Sequence, residues 1–452
     1  MGRALRRSEQ AGRWPALPRR VAGLLACAAL LWACLLALGP WRARAASLGA
    51  TQRSYLQLAE RAIAQAGSPG AWGNRRAHWY NGLLHDRKRS PLATIWEIVP
   101  LFESVDYVAL ADPSGANLAE VRRFANYAER YWDRNVTPAP GDSRRTGAYA
   151  PYPGSWNDAK TFFDDNSWWS LAFLDASAAM RAAGWTGAAQ RYLRDAQRGF
   201  QFVYQNGWDA QDGGGLWWNT WHTIPCCGGV GRSGEALGAA TDLAARLYQA
   251  TGEPLYLQAA EAYIAWANHN LLKWDGSYAL AIPREVQMPH DGEGAMIAAF
   301  TALCQAGAPV PASVYAGIPG NVIGIDPSFR LPPDPGSWCS WAESLAQHTA
   351  FGVTLGSHIL DGFLPLNEGP QWDAIYLRGL LSLYAQDHNP AWYGIASRTA
   401  QRILADARDP DGLFLRAWDG SGAVPGTPPG ELWADGASVS VLAAMADAAP
   451  PG

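Results

Sequence analysis

The chain has 452 residues, 48% of them hydrophobic and 17% charged, enough apolar material for one large domain or two medium ones and too much for a disordered chain. The net charge of −4 conceals an uneven split: residues 1–45 hold eight arginines against Glu9 alone, which leaves 28 basic against 39 acidic residues in the remainder. An acidic main body argues against nucleic acid as a partner.

The first element in chain order reads as an export signal. An arginine-rich stretch leads into VAGLLACAALLWACLLALG (21–39) and then ARA at 43–45, the order of a basic region, an apolar core and a cleavage site after Ala45. The apolar run of 19 residues is also long enough to stay as a membrane anchor, and either outcome places the single domain expected over 46–450 outside the cytoplasm. Arg19 and Arg20 read as part of the basic region rather than as a twin-arginine signal, and the apolar residues after Cys34 argue against lipid attachment there. Cys27 and Cys34 fall inside this segment. Of the other four, Cys226, Cys227, Cys304 and Cys339, one bridge is expected in an oxidising compartment, with Cys304–Cys339 the simplest candidate among three possible pairings.

From about residue 95 onward apolar residues recur with helical spacing and alternating strand patterns are scarce, so the fold class is all-α. Helices are expected over 164–180, 187–204, 237–250, 254–272, 295–306, 374–387 and 391–407, and a weak repeat runs through them: a helix ends at a Gly or Asn turn and the next begins near a Tyr. Pro254 and Pro390 stand where a first-turn proline is tolerated. Stacked helical pairs make an open solenoid or a closed toroid. The helix at 164–180 is apolar around most of its circumference, as an inner ring requires, whereas 187–204 and 391–407 are amphipathic and suit an outer layer. The long Gly, Pro and Trp-rich connections at 208–234 and 310–337 are candidates for shaping a site.

There are 23 tryptophans, clustered at Trp168–Trp169, Trp217–Trp218–Trp221 and Trp338–Trp341. Flat aromatic faces stack on the C–H faces of sugar rings. Core packing accounts for most of them, and for the loop cluster at 217–221 both readings stay open. In TFFDDNSWWSLAFLDA (161–176) Asp164 and Asp165 are adjacent at a helix start. One aspartate serves a helix N-terminus; a second beside it adds like-charge repulsion, which suggests that the two are wanted together. Retaining glycoside hydrolysis uses two carboxyl groups about 5–5.5 Å apart, and consecutive helical side chains can reach that separation. His222 and His290 are read as structural, no spacing suggests a metal cluster, and no cofactor is implied.

The FFDDNSWWSLAFLDA segment, followed by GGGLWW (213–218) and AARLYQATGEPLYLQAAE (244–261), resembles glycoside hydrolase family 76, the endo-α-1,6-mannanases and their fungal transglycosidase relatives. The resemblance covers roughly residues 95–448 and implies an (α/α)6 toroid with a cleft across one face. It also implies a retaining mechanism with Asp164 as nucleophile and Asp165 as general acid/base, and places Trp168, Trp169, Trp217 and Trp218 near the sugar subsites. The chain departs from the family pattern in three places: Asp291-Gly292-Glu293-Gly294 replaces a Tyr-Asn-Gln-Gly, Asp373 takes a lysine position, and GRSGEALG (231–238) replaces an Asn-rich segment. Asp291, Glu293 and Asp373 are therefore candidate sugar contacts of a different kind. The expected protein is an exported, monomeric hydrolase of an α-mannan-type polysaccharide, touching a membrane only through an N-terminal anchor; a transglycosidase or a non-catalytic glycan-binding protein are the alternatives.

Overall fold

The computed structural model describes residues 48–66, 93–153, 160–211, 213–224, 229–273, 276–282, 286–287, 290–316, 318, 336–351, 369–410, 412–421 and 431–451. Residues 1–45, expected to act as an export signal, together with Cys226, Cys227, the side chain of His290 and most of the 310–337 connection lie outside them.

Local chemistry sets an alternation of helices. Outer helices start where prolines or polar caps allow: α7 (Pro254–Asn270) and α11 (Pro390–Asp406) have proline in the first turn. Each follows a helix whose C-cap is left-handed, α6 (Gly234–Thr251) closing at Gly252 with φ 71° and α10 (Pro370–Asp387) at His388 with φ 57°. The Asn389 side chain then accepts from Ala391 N–H, capping α11. These tight caps turn the chain from an inner helix to an outer one within a few residues, the repeat legible in the sequence.

The inner helices are α2 (Ile95–Ala111), α4 (Phe163–Ala182), α6, α8 (His290–Gln305), α10 and α12 (Leu432–Asp447). Each packs against the next, and α12 packs back against α2, so the ring is closed. The outer helices α1 (Ala50–Ala66), α3 (Gly115–Ala128), α5 (Thr186–Asn206), α7, α9 (Trp338–Phe351) and α11 cover it. This is the (α/α)6 toroid. Burial follows the two layers: α4 and α12 are buried around nearly their whole circumference, whereas α5 buries one stripe, including Ala189, Tyr192, Phe200 and Val203. Between α8 and α10 the ring closes backbone to backbone, because a Cβ on Gly294 or Gly379 would run into the main chain of the opposite helix.

Among the described residues the strands are short and sit beside the ring. β1 (Trp132–Val136) pairs antiparallel with β2 (Thr146–Tyr149), and β3 (Arg232–Ser233), β4 (Ala279–Ile282) and β5 (Val286–Gln287) form a three-stranded sheet in that order. Among the described residues no helix is long and apolar enough to cross a membrane. Leu48–Gly452 groups as one compact unit.

Cys304 at the end of α8 and Cys339 at the start of α9 form a disulfide, with Cα atoms 5.1 Å apart and a sequence separation of 35. A crosslink closing a loop of that length stabilises by roughly 2–4 kcal/mol. The double change Cys304→Ser and Cys339→Ser is expected to lower the urea-unfolding free energy by about that amount, and a variant as stable as the parent under non-reducing conditions would contradict it.

Candidate active site

The aspartate pair is held at the start of α4 by backbone pairing on one side and a side-chain clasp on the other. Phe163 N–H donates to Trp218 O at 2.9 Å and Thr220 N–H to Thr161 O at 2.9 Å, so residues 161–163 run beside 218–220 as a short extended pair. Asn166, fully buried, accepts from Tyr149 N–H at 2.8 Å and donates to Tyr149 O at 2.9 Å and Phe162 O at 2.7 Å, fastening the first turn of α4 to β2. Strand and loop together thus fix where the helix begins, and with it the direction of Asp164 and Asp165.

Both carboxyls face a cavity of about 460 Å³, also walled by Thr94, Trp96, Pro151, Phe162, Trp218, Glu235, Leu280 and Trp372. That size is in the range of small-molecule sites. The wall is contributed by the first turns of α2, α4, α6 and α10, so the positive ends of four helix dipoles surround the carboxyls. Each of the six inner helices carries an acid in its first turn: Glu97, Asp164 with Asp165, Glu235, Asp291 with Glu293, Asp373 and Asp435.

The two aspartates are not equivalent. Asp164 accepts from the Trp218 indole N–H at 2.6 Å and from Asp165 N–H at 2.9 Å. Burial pushes its carboxyl up to about 7, and these two donors hold it from rising further. Asp165 is carried well above the usual carboxylate range, first by burial and then by the charges of Asp164 and Glu97. The arrangement therefore supplies an ionised carboxylate beside a protonated one.

Several expected site residues lie elsewhere. Trp169 is fully buried, donates its indole N–H to Ala128 O at 3.3 Å and packs on Phe102, Tyr131 and Phe173; it is a core residue. Trp168, 1% exposed, sits one turn deeper than Asp164 and faces an interior cavity rather than the groove. A helical turn advances about 5.4 Å, which carries both rings below the mouth of the ring. Trp217 is not a free platform either: its ring lies between the His222 ring, with centroids 3.9 Å apart and 1° between planes, and the Arg232 guanidinium at 3.7 Å. In an extended segment successive side chains point to opposite faces, so Trp218 in the groove sends Trp217 away from it. Asp291, Glu293 and Asp373 are buried at the starts of α8 and α10, and none of them forms the cavity wall. Asp291 acts electrostatically on Glu235, which does line it, and raises its pKa.

Glu235, Trp96 and Trp372 are among the wall residues that the sequence did not single out. Trp96 and Trp372 approach with ring centroids 6.2 Å apart, and the Trp372 indole N–H has no hydrogen-bond partner among the described residues. Glu235 is raised well above the usual range by burial and by Asp291, Asp164 and Asp165. It falls within the replaced GRSGEALG segment and Trp372 directly precedes Asp373, so both stood beside positions already marked as departures. Among the described residues no group of three or more His, Cys, Asp or Glu is placed to hold a metal ion.

Solved structures share this architecture. A family 76 mannosidase from Bacteroides thetaiotaomicron superposes with a TM-score of 0.65 at 16% identity, covering 87% of this chain and 98% of that one. A family 76 α-mannanase from the same organism gives 0.63 at 18%, covering 87% and 95%. The α-1,6-mannanase of Salegentibacter sp. gives 0.60 at 16%, covering 87% and 99%; an inactive variant of it, with two consecutive aspartates changed to asparagine, is in complex with α-1,6-mannotriose. No curated protein matches in sequence. By class the protein is a glycoside hydrolase. Residues 140–281, which contain the aspartate pair, Trp218 and Glu235, match the sequence profile of glycosyl hydrolase family 76.

Proposed function

We propose that the protein is an exported, retaining hydrolase that cuts α-1,6-mannosidic linkages within a mannan-type polysaccharide, with Asp164 as nucleophile and Asp165 as general acid/base. The observation that carries this reading is the Trp218 N–H bond to Asp164 at 2.6 Å in a groove where Asp165 lacks such support. In the first step the Asp164 carboxylate bonds to the anomeric carbon while the Asp165 carboxyl protonates the departing glycosidic oxygen, leaving a glycosyl ester. In the second, ionised Asp165 takes a proton from water as that water attacks the same carbon and frees Asp164. The consecutive aspartates of the inactive Salegentibacter variant support the assignment. Trp96, Trp218 and Trp372 supply faces for sugar rings, and the unpartnered Trp372 N–H suits a hydroxyl. The N-terminal segment supports export.

The test is a digest of α-1,6-mannan followed by NMR at early times: a first product of α configuration supports double displacement, and a β product overturns it. The mostly apolar wall, with Trp96, Phe162, Leu280 and Trp372, also limits access of water and favours transfer to a sugar hydroxyl as a second outcome. Added mannobiose acceptor separates the two, by the appearance or absence of longer products.

Trp218→Phe removes a donor that holds Asp164 down, so its carboxyl rises further and ionises at higher pH. A hydrogen bond to a charged group is worth roughly 1.5–3 kcal/mol, and 1.36 kcal/mol corresponds to one pH unit. The acid limb of kcat/KM is therefore expected to move up by about 1–2 units; an unmoved limb would show that Asp164 does not set it.

A further inference from the structure

A second cavity, of about 210 Å³, lies within the ring among the middle and C-terminal turns of α2, α4, α6, α8 and α10. Trp168 closes it toward the aspartates. At the other end Gln249 and Gln305 are exposed and bonded to each other at 2.6 Å across α6 and α8, so the cavity has a solvent-facing rim. Between these ends the wall holds two ion pairs, Arg378 with Glu103 at 2.7 Å and Arg246 with Asp175. Arg378 also donates to Ser440 Oγ at 3.1 Å.

Both guanidinium groups are thus engaged, but two buried groups on the same wall are not. The indole N–H of Trp168, 1% exposed, and Oδ1 of Asp242, 5% exposed, have no hydrogen-bond partner among the described residues. A donor and an acceptor left unmade in a buried site cost free energy until something binds there. A hydroxyl group completes both, accepting from the indole and donating to the carboxylate; a simple cation serves only the acceptor and a simple anion only the donor. Burial, opposed by Arg246, pushes Asp242 up to about 7, and a hydroxyl matches it in either protonation state. Leu171 and Ile375 give the same wall an apolar patch that suits C–H faces.

We propose that this cavity is a second binding site, separate from the aspartate groove, for a neutral polyhydroxylated molecule the size of one sugar ring. The reaction in the groove uses none of these side chains, so the proposal stands or falls apart from the mannanase reading.

The experiment uses the full chain with D-mannose, D-glucose and myo-inositol at up to tens of millimolar, by crystallography and by equilibrium dialysis. One of the three is expected in the cavity, with ring hydroxyls on Trp168 Nε1 and Asp242. Trp168→Phe, which removes only the donor, is expected to weaken that site at least tenfold, and Gln249→Trp, which fills the exposed rim, to abolish it while any groove binding persists. Should the buried variant fail to fold, the rim variant decides. The proposal is overturned if the cavity holds only ordered water with all three probes, or if dialysis gives the same stoichiometry and affinity in the wild type and the rim variant.

Discussion

Asp164→Ala is expected to lose turnover of α-1,6-mannan by a factor on the order of 10⁵, because it removes the nucleophilic carboxylate and the other two groove carboxyls, Asp165 and Glu235, are raised well above the usual range. In this variant the Asp164 charge is gone, but burial, the largest cause, and the Glu97 charge still raise the Asp165 carboxyl, so it is no substitute at neutral pH. Azide offers a sharper measurement than the rate alone. A small anion entering the space left by the carboxyl attacks directly, so an aryl α-1,6-mannobioside with a good leaving group should give the β-azide, a single inversion. Near wild-type hydrolysis by Asp164→Ala, or an α-azide from it, would remove Asp164 from the role of nucleophile.

Asp165→Ala should behave differently. General acid catalysis contributes roughly 10²–10⁴-fold, so mannan, with a poor leaving group, is expected to slow by about that factor. The activated aryl substrate needs little protonation and should form the glycosyl ester at close to the normal rate, then stall because no base activates water. Azide needs no base, so it should restore turnover and yield the α-azide through two inversions. The pair of variants giving opposite azide anomers is the diagnostic result, and the same anomer from both would sink the division of labour. Removing Asp165 also removes the acidic neighbour with the highest proton affinity of the pair, so the alkaline limb of the wild-type profile should vanish with it.

Much of the architecture was readable because helix periodicity is a local property. The helix expected over 391–407 is found at Pro390–Asp406, and the all-round apolar character of 164–180 placed α4 in the inner ring correctly. Segments without regular periodicity were less legible: the short strands β1 to β5 hold the site's edges but are too brief to show a pattern. At the site, the aspartate pair stood out because adjacent acids at a helix start exceed what capping requires. The tryptophans did not sort themselves, since composition says nothing about which ring faces the groove. Trp217 and Trp218 differ only by strand alternation, and Trp168 and Trp169 only by depth along α4. Glu235, Trp96 and Trp372 reach the groove from helices α6, α2 and α10, distant in sequence from α4, and only closure of the ring brings them there.

That closure gives the molecule a seam. Between α2 and α12, Ser104 Oγ donates to Gly436 O at 3.3 Å, and farther along Gln52 Nε2 donates to Ala446 O at 3.1 Å, joining stretches from opposite ends of the described chain. Until α12 is in place, α2 and α10 each keep a flank without the neighbour that packs there. Trp96 and Trp372, which meet over the groove from those same two flanks, are brought together when that neighbour docks between them. The helix α12 is thus the keystone that completes both the ring and the two-tryptophan wall of its groove.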